Sequence, residues 1–543
     1  MAIWKKRGSC QDIAELVMSC SGMSMEELTN PQKVPASEIE NIPEAAALLS
    51  QCLGAGMPIV IVGDYDVDGI TATAILVNLL RWYGCEPKTI IPRRFTDGYG
   101  IAEHMLDGIR NSLVITVDNG ISAAEALEAA KKEGNRVLVL DHHLSNTVPR
   151  VDVVVDPHVT GGTSGYQDYC GAGLALKLAE QLLPYPGEYP DLFYNLTVLA
   201  CLGTIADVMP LTGDNRRIVR EGLMILRSSK GFSMLGPGLR EILKLGGTPL
   251  DEESIKFTIA PVLNAAGRMY DAGSTSALKA ILCRDADQAA AYAGKMKQIN
   301  EERKSAVSHW LDRYLEEVQP EKPVQILYLP GAPEGILGII AGKLTEIFRM
   351  PAFVLSDSRE PGIIKGSGRS YGDFDLFSVI EEVRDLTVAA GGHAGAAGIS
   401  LRLEQLEALR VAIETAVLSR DFSPGEDILY YDLELRPSEL PGVYDTQKQL
   451  GPFGEGCPQP VYLLRNFQPV ARYGEVYKFM GSNRQHVKLY GPDFELTAFN
   501  SADEFRAMGL PASLDIVGTL GVNIWNGRTT VQFKPIAFMK TEE

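Results

Sequence analysis

Short apolar runs, each followed by polar or acidic residues, organise the first third of the chain. The runs Ile59–Val62, Leu113–Val117 and Val137–Leu140 are almost entirely apolar, which is typical of parallel strands that are buried on both faces. The intervening stretches Thr71–Tyr83 and Ala123–Glu133 have patterns typical of crossover helices. This alternation predicts a βαβ domain built on a parallel sheet.

Acidic residues cluster directly after these strands, and another follows in a later apolar segment. Ligands of an open α/β sheet bind beyond the carboxyl ends of its strands, so residues at those ends should share one pocket. Carboxylates this close together cannot all stay ionised without cations among them. The pattern therefore predicts a metal site formed by Asp64, Asp66, Asp68, Asp118, Asp141, His142, His143 and Asp207.

Hard oxygen ligands suit Mg²⁺ or Mn²⁺, and an added imidazole shifts the preference towards Mn²⁺. A period of two would place Asp64, Asp66 and Asp68 on one side of an extended turn that Gly69 closes. An EF-hand loop beginning at Asp64 fails at Ile75, where such a loop needs a bidentate glutamate. Taken singly, each group is also typical of a solvated turn or a surface histidine pair. Their joint occurrence favours two ions about 3.5–4 Å apart.

Three further segments supply candidates for binding phosphate. Segments 365–370 and 391–398 are predicted to be small-residue loops whose backbone amides approach an anion closely. Segment 92–100 combines arginines with aromatic residues, as single-strand-binding proteins do, although a surface turn with solvated arginines is an equally good interpretation. The candidate donors of the first two segments are Ser367, Arg369, Ser370 and His393.

The predicted fold class is α/β, with a parallel-sheet domain joined by a long helix to a smaller α/β domain, followed by a small β-barrel. Few helix breakers in residues 286–320 favour the connecting helix. Within the first domain, Asn264–Arg268 is predicted to be a loop. The predicted boundaries are 1–56 for short helices and loops, 57–285 for the parallel-sheet domain, 286–320 for the connecting helix, 321–422 for the smaller domain and 428–543 for the barrel.

Composition narrows the classes of function. The net charge of −18 argues against broad nucleic-acid binding by charge, but it allows a local basic groove on an acidic body. The 8 cysteines include no CxxC pair, which indicates reduced thiols and a cytoplasmic protein without a zinc ribbon. No apolar run approaches the roughly 18 residues of a membrane span, so no membrane association is expected.

Six motifs occur in one order along residues 57–400: GDYDVDG, VDNG, DHH, GTIADVMPL, NAAGRM and GGHAGAAG. In this order they resemble the DHH/DHHA1 phosphoesterase superfamily. The added C-terminal β domain resembles the OB-fold of one branch, the exonucleases specific for single-stranded DNA. The resemblance implies hydrolysis from 5′ to 3′ to mononucleotides in recombination and repair, with two Mn²⁺ or Mg²⁺ ions. It further implies single-strand-binding protein and a RecQ-type helicase as partners.

The resemblance also implies roles for individual residues. Asp64 and Asp141 match supporting carboxylates of the catalytic centre, His143 matches the residue that meets the scissile phosphate, and Tyr99 matches an aromatic residue at the strand entrance. The implied metal ligands are Asp66, Asp68, Asp118, His142 and Asp207. The implied phosphate contacts are Arg94, Arg268, Ser367, Arg369, Ser370 and His393.

The chain departs from the family pattern at Val62, where related phosphatases carry a histidine ligand, and at Val262, where the exonuclease branch often carries arginine. Two other functions stay open. A phosphodiesterase for short oligoribonucleotides or cyclic dinucleotides would share the site, although the C-terminal β domain counts against so small a substrate. A non-catalytic scaffold is the third possibility, although such a protein could dispense with the metal ligands that are present here.

Overall fold

The described part of the chain, in this computed structural model, comprises residues 3–98, 100–159, 165–183, 185–315, 318–420, 422, 428–472, 474–525 and 527–541. Tyr99, predicted at the strand entrance, lies outside it. No helix within these residues is long and apolar enough to cross a membrane.

The beginning of the chain packs largely against its C-terminal end. Strand β1 (Ile3–Lys6) pairs in parallel with Ile428–Tyr431, and helices α1 (Ile13–Ser21) and α2 (Met25–Thr29) bury apolar residues in the core of the C-terminal sheet. Helix α3 (Ile42–Gly54) packs instead on the parallel-sheet domain. The prediction that residues 1–56 contain only helices and loops is therefore wrong at β1, a run too short and too exposed to show a buried-strand pattern.

The parallel sheet predicted for the first domain is confirmed. Its strands lie in the order β3-β2-β4-β5-β6, and every neighbouring pair is parallel. Helix α4 packs beneath the sheet against α6 and α7, so the apolar strands are covered and their polar ends converge at one edge. The elements up to this point are β2 (Ile59–Val62), α4 (Val67–Trp82), β3 (Lys88–Ile90), β4 (Leu113–Val117), α5 (Ala124–Lys132), β5 (Arg136–Leu140), β6 (Val153–Val155), α6 (Gly171–Leu182) and α7 (Pro190–Ala206).

The remainder of this domain is helical and leads into the long connecting helix α14 (Ala286–Tyr314). The segment Asn264–Arg268, predicted as a loop, lies within helix α12, because its alanines are good helix formers and pack into the core. The elements are α8 (Gly213–Arg227), α9 (Ser229–Ser233), α10 (Pro237–Lys244), α11 (Glu252–Ser254), α12 (Ala260–Met269) and α13 (Gly273–Ile281), with a π-helical turn at Ile255–Ile259.

The smaller domain has a mixed sheet in the order β10-β11-β9-β8-β7. Segments 365–370 and 391–398, predicted as loops, form instead most of β9 and the β10–β11 hairpin, because Ile364, Ile399 and Leu401 bury one face of these strands. Helix α15 covers the opposite face at β8. The elements are β7 (Gln325–Tyr328), α15 (Leu337–Phe348), β8 (Ala352–Asp357), β9 (Ile363–Arg369), α16 (Leu376–Glu382), β10 (Ala389–His393), β11 (Ala396–Arg402) and α17 (Leu406–Leu418).

The C-terminal domain is built on a sheet in the order β13-β14-β18-β19-β17-β16-β15. The apolar-rich run Ile428–Leu435 is divided at Asp432, whose carboxylate accepts the amide of Val461 (2.8 Å), and its halves join different sheets. The elements are β12 (Ile428–Tyr431), β13 (Leu433–Leu435), α18 (Leu440–Leu450), β14 (Tyr462–Phe467), β15 (Lys478–Met480), β16 (His486–Tyr490), β17 (Phe494–Ala498), α19 (Ala502–Ala507), β18 (Leu514–Trp525) and β19 (Arg528–Lys540).

A fully buried arginine connects the C-terminal domain to the parallel-sheet domain. Arg216 of α8 donates to the carbonyl of Leu28 (3.0 Å), to that of Pro452 (2.9 Å) and to that of Leu450. Carbonyl groups at the end of α18 have no intrahelical donor, so the guanidinium satisfies them. The junction is thus polar, buried and specific in its geometry.

Replacing Arg216 by Met should lower the stability of the chain by about 3 kcal/mol, because several buried carbonyls lose their donor. The midpoint of denaturant unfolding measures the loss. The exposed Arg110, whose side chain pairs with Glu133 at the surface, provides the matched Arg110→Met control. The stability of this variant is expected to lie within about 0.5 kcal/mol of the wild type. Equal midpoints for both variants would contradict this role of Arg216.

Candidate active site

The carboxyl edge of the parallel sheet gathers the predicted acidic residues. Asp64 follows β2, Asp118 follows β4 and Asp141 follows β5, while Asp207 comes directly after helix α7. Because the three strands are parallel and in register, their ends lie side by side. The sequence-predicted cluster is therefore assembled in one place.

The Asp64–Asp68 segment is not an extended turn throughout. Asp66 is the N-cap of α4, and its carboxylate accepts the amide of Gly69 (3.1 Å). The chain is helical from Val67 onward, so Asp68 lies in the first helical turn. The predicted alternation is wrong from this point, since an aspartate directly before a helical run is a favourable N-cap.

Asp68 is held by the beginning of another helix. Its carboxylate accepts the amides of Gly171 (2.6 Å) and Ala172 (3.0 Å) at the N-terminus of α6. A Cβ atom at Gly171 would lie 2.5 Å from Cβ of Asp118, and one at Gly203 would lie 2.4 Å from Asp68 Oδ1. These glycines are needed because the carboxylates approach the helix backbones so closely.

His142 lies among the carboxylates. Its Nε2 is 3.1 Å from an oxygen of Asp118, 3.7 Å from one of Asp207 and 3.9 Å from one of Asp68. Three overlapping sets of ligand atoms, each within 4.8 Å of one another, are present among the described residues. The sets are Asp64 with Asp66 and Asp118, Asp68 with His142 and Asp207, and Asp118 with His142 and His143.

Asp141 orients the histidines. One of its oxygens contacts Nδ1 of His143 (2.7 Å) and accepts the amide of His142 (2.8 Å), and the other accepts the amide of Ile121 (2.8 Å). Burial opposes ionisation, but the hydrogen bond and charge of His143 hold the pKa of Asp141 below its ordinary value. Asp141 is therefore placed to position His143 rather than to bind an ion.

The remaining carboxylates repel one another. Burial and the nearby Asp66 raise the pKa of Asp64 to about 8, and burial and Asp68 raise that of Asp207 to about 8. Burial and neighbouring carboxylates raise the pKa of Asp118 well above its ordinary value. Oδ1 of Asp64 is buried and has no hydrogen-bond partner in the described structure. Oxygen atoms in this state fit divalent cations, which would stabilise the ionised forms.

Left-handed backbone occurs at two points of this centre. Asp118 has φ 60°, which an aspartate tolerates, and Val208, directly after Asp207, has φ 56°. For a β-branched residue this conformation costs about 1–2 kcal/mol. The strain lies where α7 ends and Asp207 turns towards the centre, as is common in functional sites.

A group of arginines lies beside the carboxylates. The guanidinium of Arg94 stacks on the ring of Tyr65, 4.7 Å from its centre. Tyr65 lies between Asp64 and Asp66 in the sequence. Burial and then the charges of Arg94, Arg303 and Arg369 lower the pKa of Arg268 to about 10. Among the described residues, no carboxylate forms an ion pair with Arg94, Arg268, Arg303 or Arg369. Because they come from both domains and the connecting helix, they line a cleft between the domains whose charge is suited to an anion.

The small-residue motifs form one face of the smaller sheet. Ala396 is in register with Arg369 of β9 on one side and with His393 of β10 on the other. The three side chains therefore lie on the same face of the sheet. Gly338 at the start of α15 leaves room for the guanidinium, since a Cβ there would lie 2.7 Å from Arg369 Nη2. On this face, only the small side chain of Ala396 lies between Arg369 and His393.

Ser367 and Ser370, which were predicted together, differ in position. Ser367 shares the face of Arg369, with Gly398 and Gly391 in register beside it. The hydroxyl of Ser370 donates to the carbonyl of Phe374 in a local turn. The structure thus places Ser367, and not the Ser370 hydroxyl, on the face of the sheet that carries Arg369.

Several residues of the site were missed by the sequence analysis. Asp156 follows β6 and is fully buried, and burial together with Asp141 raises its pKa to about 7. Its position after an apolar strand is the pattern that identified Asp118, so the same rule applies to it. By contrast, nothing in the sequence indicates the Gly171 amide or the approach of Arg303 of α14.

Three families match the chain along its length. Residues 58–204 match the DHH family, N-terminal domain, residues 321–418 match the DHHA1 domain and residues 431–536 match the RecJ OB domain. Fold and site together define a member of the DHH phosphoesterases, with the metal-ligand pattern and the arginine cleft in the expected domains.

Proteins that are similar over most of this chain identify the branch of the DHH phosphoesterases to which it belongs. The single-stranded-DNA-specific exonuclease RecJ of Bacillus subtilis is 34% identical over 91% of this chain, and the chain spans 63% of that protein. The protein of the same name from Thermus thermophilus is 32% identical over 93% of this chain and 72% of its own length. The crystal structure of Thermus RecJ in complex with Mn²⁺ matches with a TM-score of 0.79 and 29% identity, covering 100% of this chain and 80% of that one. The chain belongs to the RecJ family.

Metal-free protein should become less stable as the pH rises from about 5 to 8. Asp64 and Asp207, with an ordinary pKa of 3.8 and a pKa of about 8 in the fold, bind protons in the folded state that the unfolded chain releases. The pKa of His143, raised to about 9 by Asp141 against the effect of burial, acts in the same direction above 6.5. Thermal unfolding with a chelator at several pH values measures the slope.

Two comparisons separate this effect from titrations elsewhere in the chain. An Asp64→Asn, Asp207→Asn double variant should show a shallower slope, and saturating Mn²⁺ should make the wild-type slope shallower too. A wild-type slope that neither change alters would contradict the repulsion inferred here.

Proposed function

We propose that the protein is a metal-dependent exonuclease that hydrolyses single-stranded DNA from its 5′ end and releases mononucleotides. The observation that carries this proposal is the pairing of the acidic centre with an unpaired arginine cluster in one cleft. The centre fits cations, and the arginines fit the phosphates of a strand. The relatives are named as exonucleases specific for single-stranded DNA, which supports DNA as the substrate. The 5′ to 3′ direction is what the resemblance of the sequence motifs implies.

The ligands in this proposal are Asp66, Asp68, Asp118, His142 and Asp207, with Asp64 beside them. Two Mn²⁺ or Mg²⁺ ions, when bound, would supply a hydroxide from water and neutralise charge on the phosphoryl oxygens. Val62 is fully buried within β2, so the first ion has no histidine at that position and depends on carboxylates and water.

The other side chains bind and orient the strand. His143, held by Asp141, is positioned to donate to an oxygen of the scissile phosphate. Arg94, Arg268, Ser367 and Arg369 bind the phosphate at the strand end. Because each released mononucleotide leaves a new end of the same kind, one anion site would serve every cycle.

The C-terminal domain provides a platform for the rest of the strand. Arg506 lies 4.6 Å from the ring of Phe479, and Arg472 lies 5.0 Å from that of Tyr490. Cations beside aromatic rings are typical of surfaces on which single-stranded bases stack. This platform favours a long strand over a dinucleotide. We further propose action in the cytoplasm during recombination and repair, with single-strand-binding protein and a RecQ-type helicase as partners.

Digestion of one oligonucleotide, labelled at either its 5′ or its 3′ end, tests the activity. We expect Mn²⁺-dependent release of a labelled mononucleotide from the 5′ label at the earliest times, while the 3′-labelled strand shortens stepwise. The Asp118→Asn variant should lose at least about 100-fold in rate with its fold retained, because a ligand shared by two of the sets is removed. Faster cleavage of a dinucleotide than of the long strand would instead favour the small-substrate phosphodiesterase.

Replacing Arg369 by Ala should raise KM for a 5′-phosphorylated strand about 10- to 100-fold, since a hydrogen bond to a charged group contributes about 1.5–3 kcal/mol. Mn²⁺ affinity, measured by calorimetry, should stay the same. Arg402, an exposed arginine further along the same sheet, provides the control Arg402→Ala. An unchanged KM in Arg369→Ala would remove this residue from the strand-end site.

A further inference from the structure

The loop that carries Arg94 is fixed by an acidic residue from elsewhere in the domain. Asp271, in the turn between α12 and α13, accepts the backbone amides of Phe95 (3.0 Å) and Thr96 (3.2 Å) with Oδ1. Its Oδ2 accepts the Thr96 hydroxyl. A carboxylate that accepts consecutive amides fixes the path of that backbone, here directly after Arg94.

The smaller domain joins the same contact. Nη1 of Arg359, in the turn between β8 and β9, donates to the Thr96 hydroxyl oxygen (3.1 Å) and lies 3.5 Å from Asp271 Oδ2. Its guanidinium is 5.7 Å from the centre of the Phe95 ring. Asp271 thereby links the Arg94 loop to the domain that supplies Arg369.

The surface on which Arg94 stacks is fixed from the same turn. The hydroxyl of Ser274, three residues after Asp271, donates to the carbonyl of Tyr65 (2.6 Å). Tyr65 is the residue whose ring lies under the Arg94 guanidinium. Asp271 in the turn and Ser274 at the start of α13 therefore hold both the loop that carries the arginine and the backbone of the residue whose ring lies beneath it.

We propose that Asp271 is a positioning residue for the strand-end site, acting through Arg94, with Arg359 joining the smaller domain to the same contact. This proposal rests on the proposed function. Asp271 holds the Arg94 loop in the geometry that selects a 5′-phosphorylated end. Asp271 makes its contacts with the loop and Arg359 rather than with the metal ligands, so its loss should impair recognition of the strand end more than hydrolysis.

The variants Asp271→Ala, Thr96→Val and Arg359→Ala test the proposal, with Arg384→Ala as the matched control. Arg384 is an exposed arginine of the smaller domain that pairs locally with Glu381. KM and kcat are measured on one strand with either a 5′-phosphate or a 5′-hydroxyl. Asp271→Ala should raise KM for the phosphorylated strand about 10-fold and leave kcat within about 2-fold, so the preference over the hydroxyl strand falls.

Amide hydrogen exchange of the peptide that covers residues 93–97 gives a readout that does not depend on nuclease activity. Exchange at Phe95 and Thr96 should become at least about 10-fold faster in Asp271→Ala, because their hydrogen-bond acceptor is lost. If the wild type digests no single-stranded DNA, the proposed function fails, and exchange still tests whether Asp271 fixes the loop.

Unchanged exchange in Asp271→Ala would overturn the proposal. So would faster exchange with unchanged KM, or an equal rise of KM for both strands, because Arg94 would then not be positioned for a terminal phosphate. If Asp271→Ala does not fold, Thr96→Val and Arg359→Ala decide by the same measurements. The Arg384→Ala control should behave as the wild type.

Discussion

Repulsion among buried carboxylates is the constraint on which the rest of this structure depends. Burial and then the charge of neighbouring carboxylates raise the pKa of Asp64, Asp118 and Asp207 well above the ordinary value, although the Asp207 side chain keeps 30% of its surface exposed. A fold that maintains this arrangement must fix the residues rigidly. It does so with parallel strands in register, with the N-terminus of α6 at Asp68 and with glycines where any side chain would collide. Bound cations would neutralise the negative charge of the ionised carboxylates.

The arginines across the cleft likewise lie close to one another and repel. Burial and then the charges of neighbouring arginines lower the pKa of Arg268, just as burial and neighbouring carboxylates raise those of the aspartates. Two clusters of opposite charge lie side by side without neutralising each other through ion pairs. One is suited to cations and the other to phosphate, so a phosphodiester strand bound with metal ions would satisfy both. The arginine cluster thus gives a chain whose net charge is −18 a local basic surface that is suited to an anion.

Much of the catalytic centre was predictable because the strands that build it are buried on both faces. Ile59–Val62 and Leu113–Val117 have the predicted bounds, and the acids after them assemble as expected. Prediction failed where glycine and alanine were taken as loop formers. Asn264–Arg268 is helical and segment 391–398 is largely a hairpin, because partner elements that pattern alone does not indicate bury one side of each. Contacts between distant segments, such as Gly171 with Asp68 or Asp271 with Thr96, have no local sequence pattern at all.

Calorimetric titration of the protein with Mn²⁺ in buffers of different ionisation enthalpy tests the central claim most directly, because it counts both ions and protons. We expect two ions per chain and a release of protons at pH 7, since ion binding must displace the protons held by Asp64, Asp118 and Asp207. Absence of saturable binding, or binding without proton release, would contradict it.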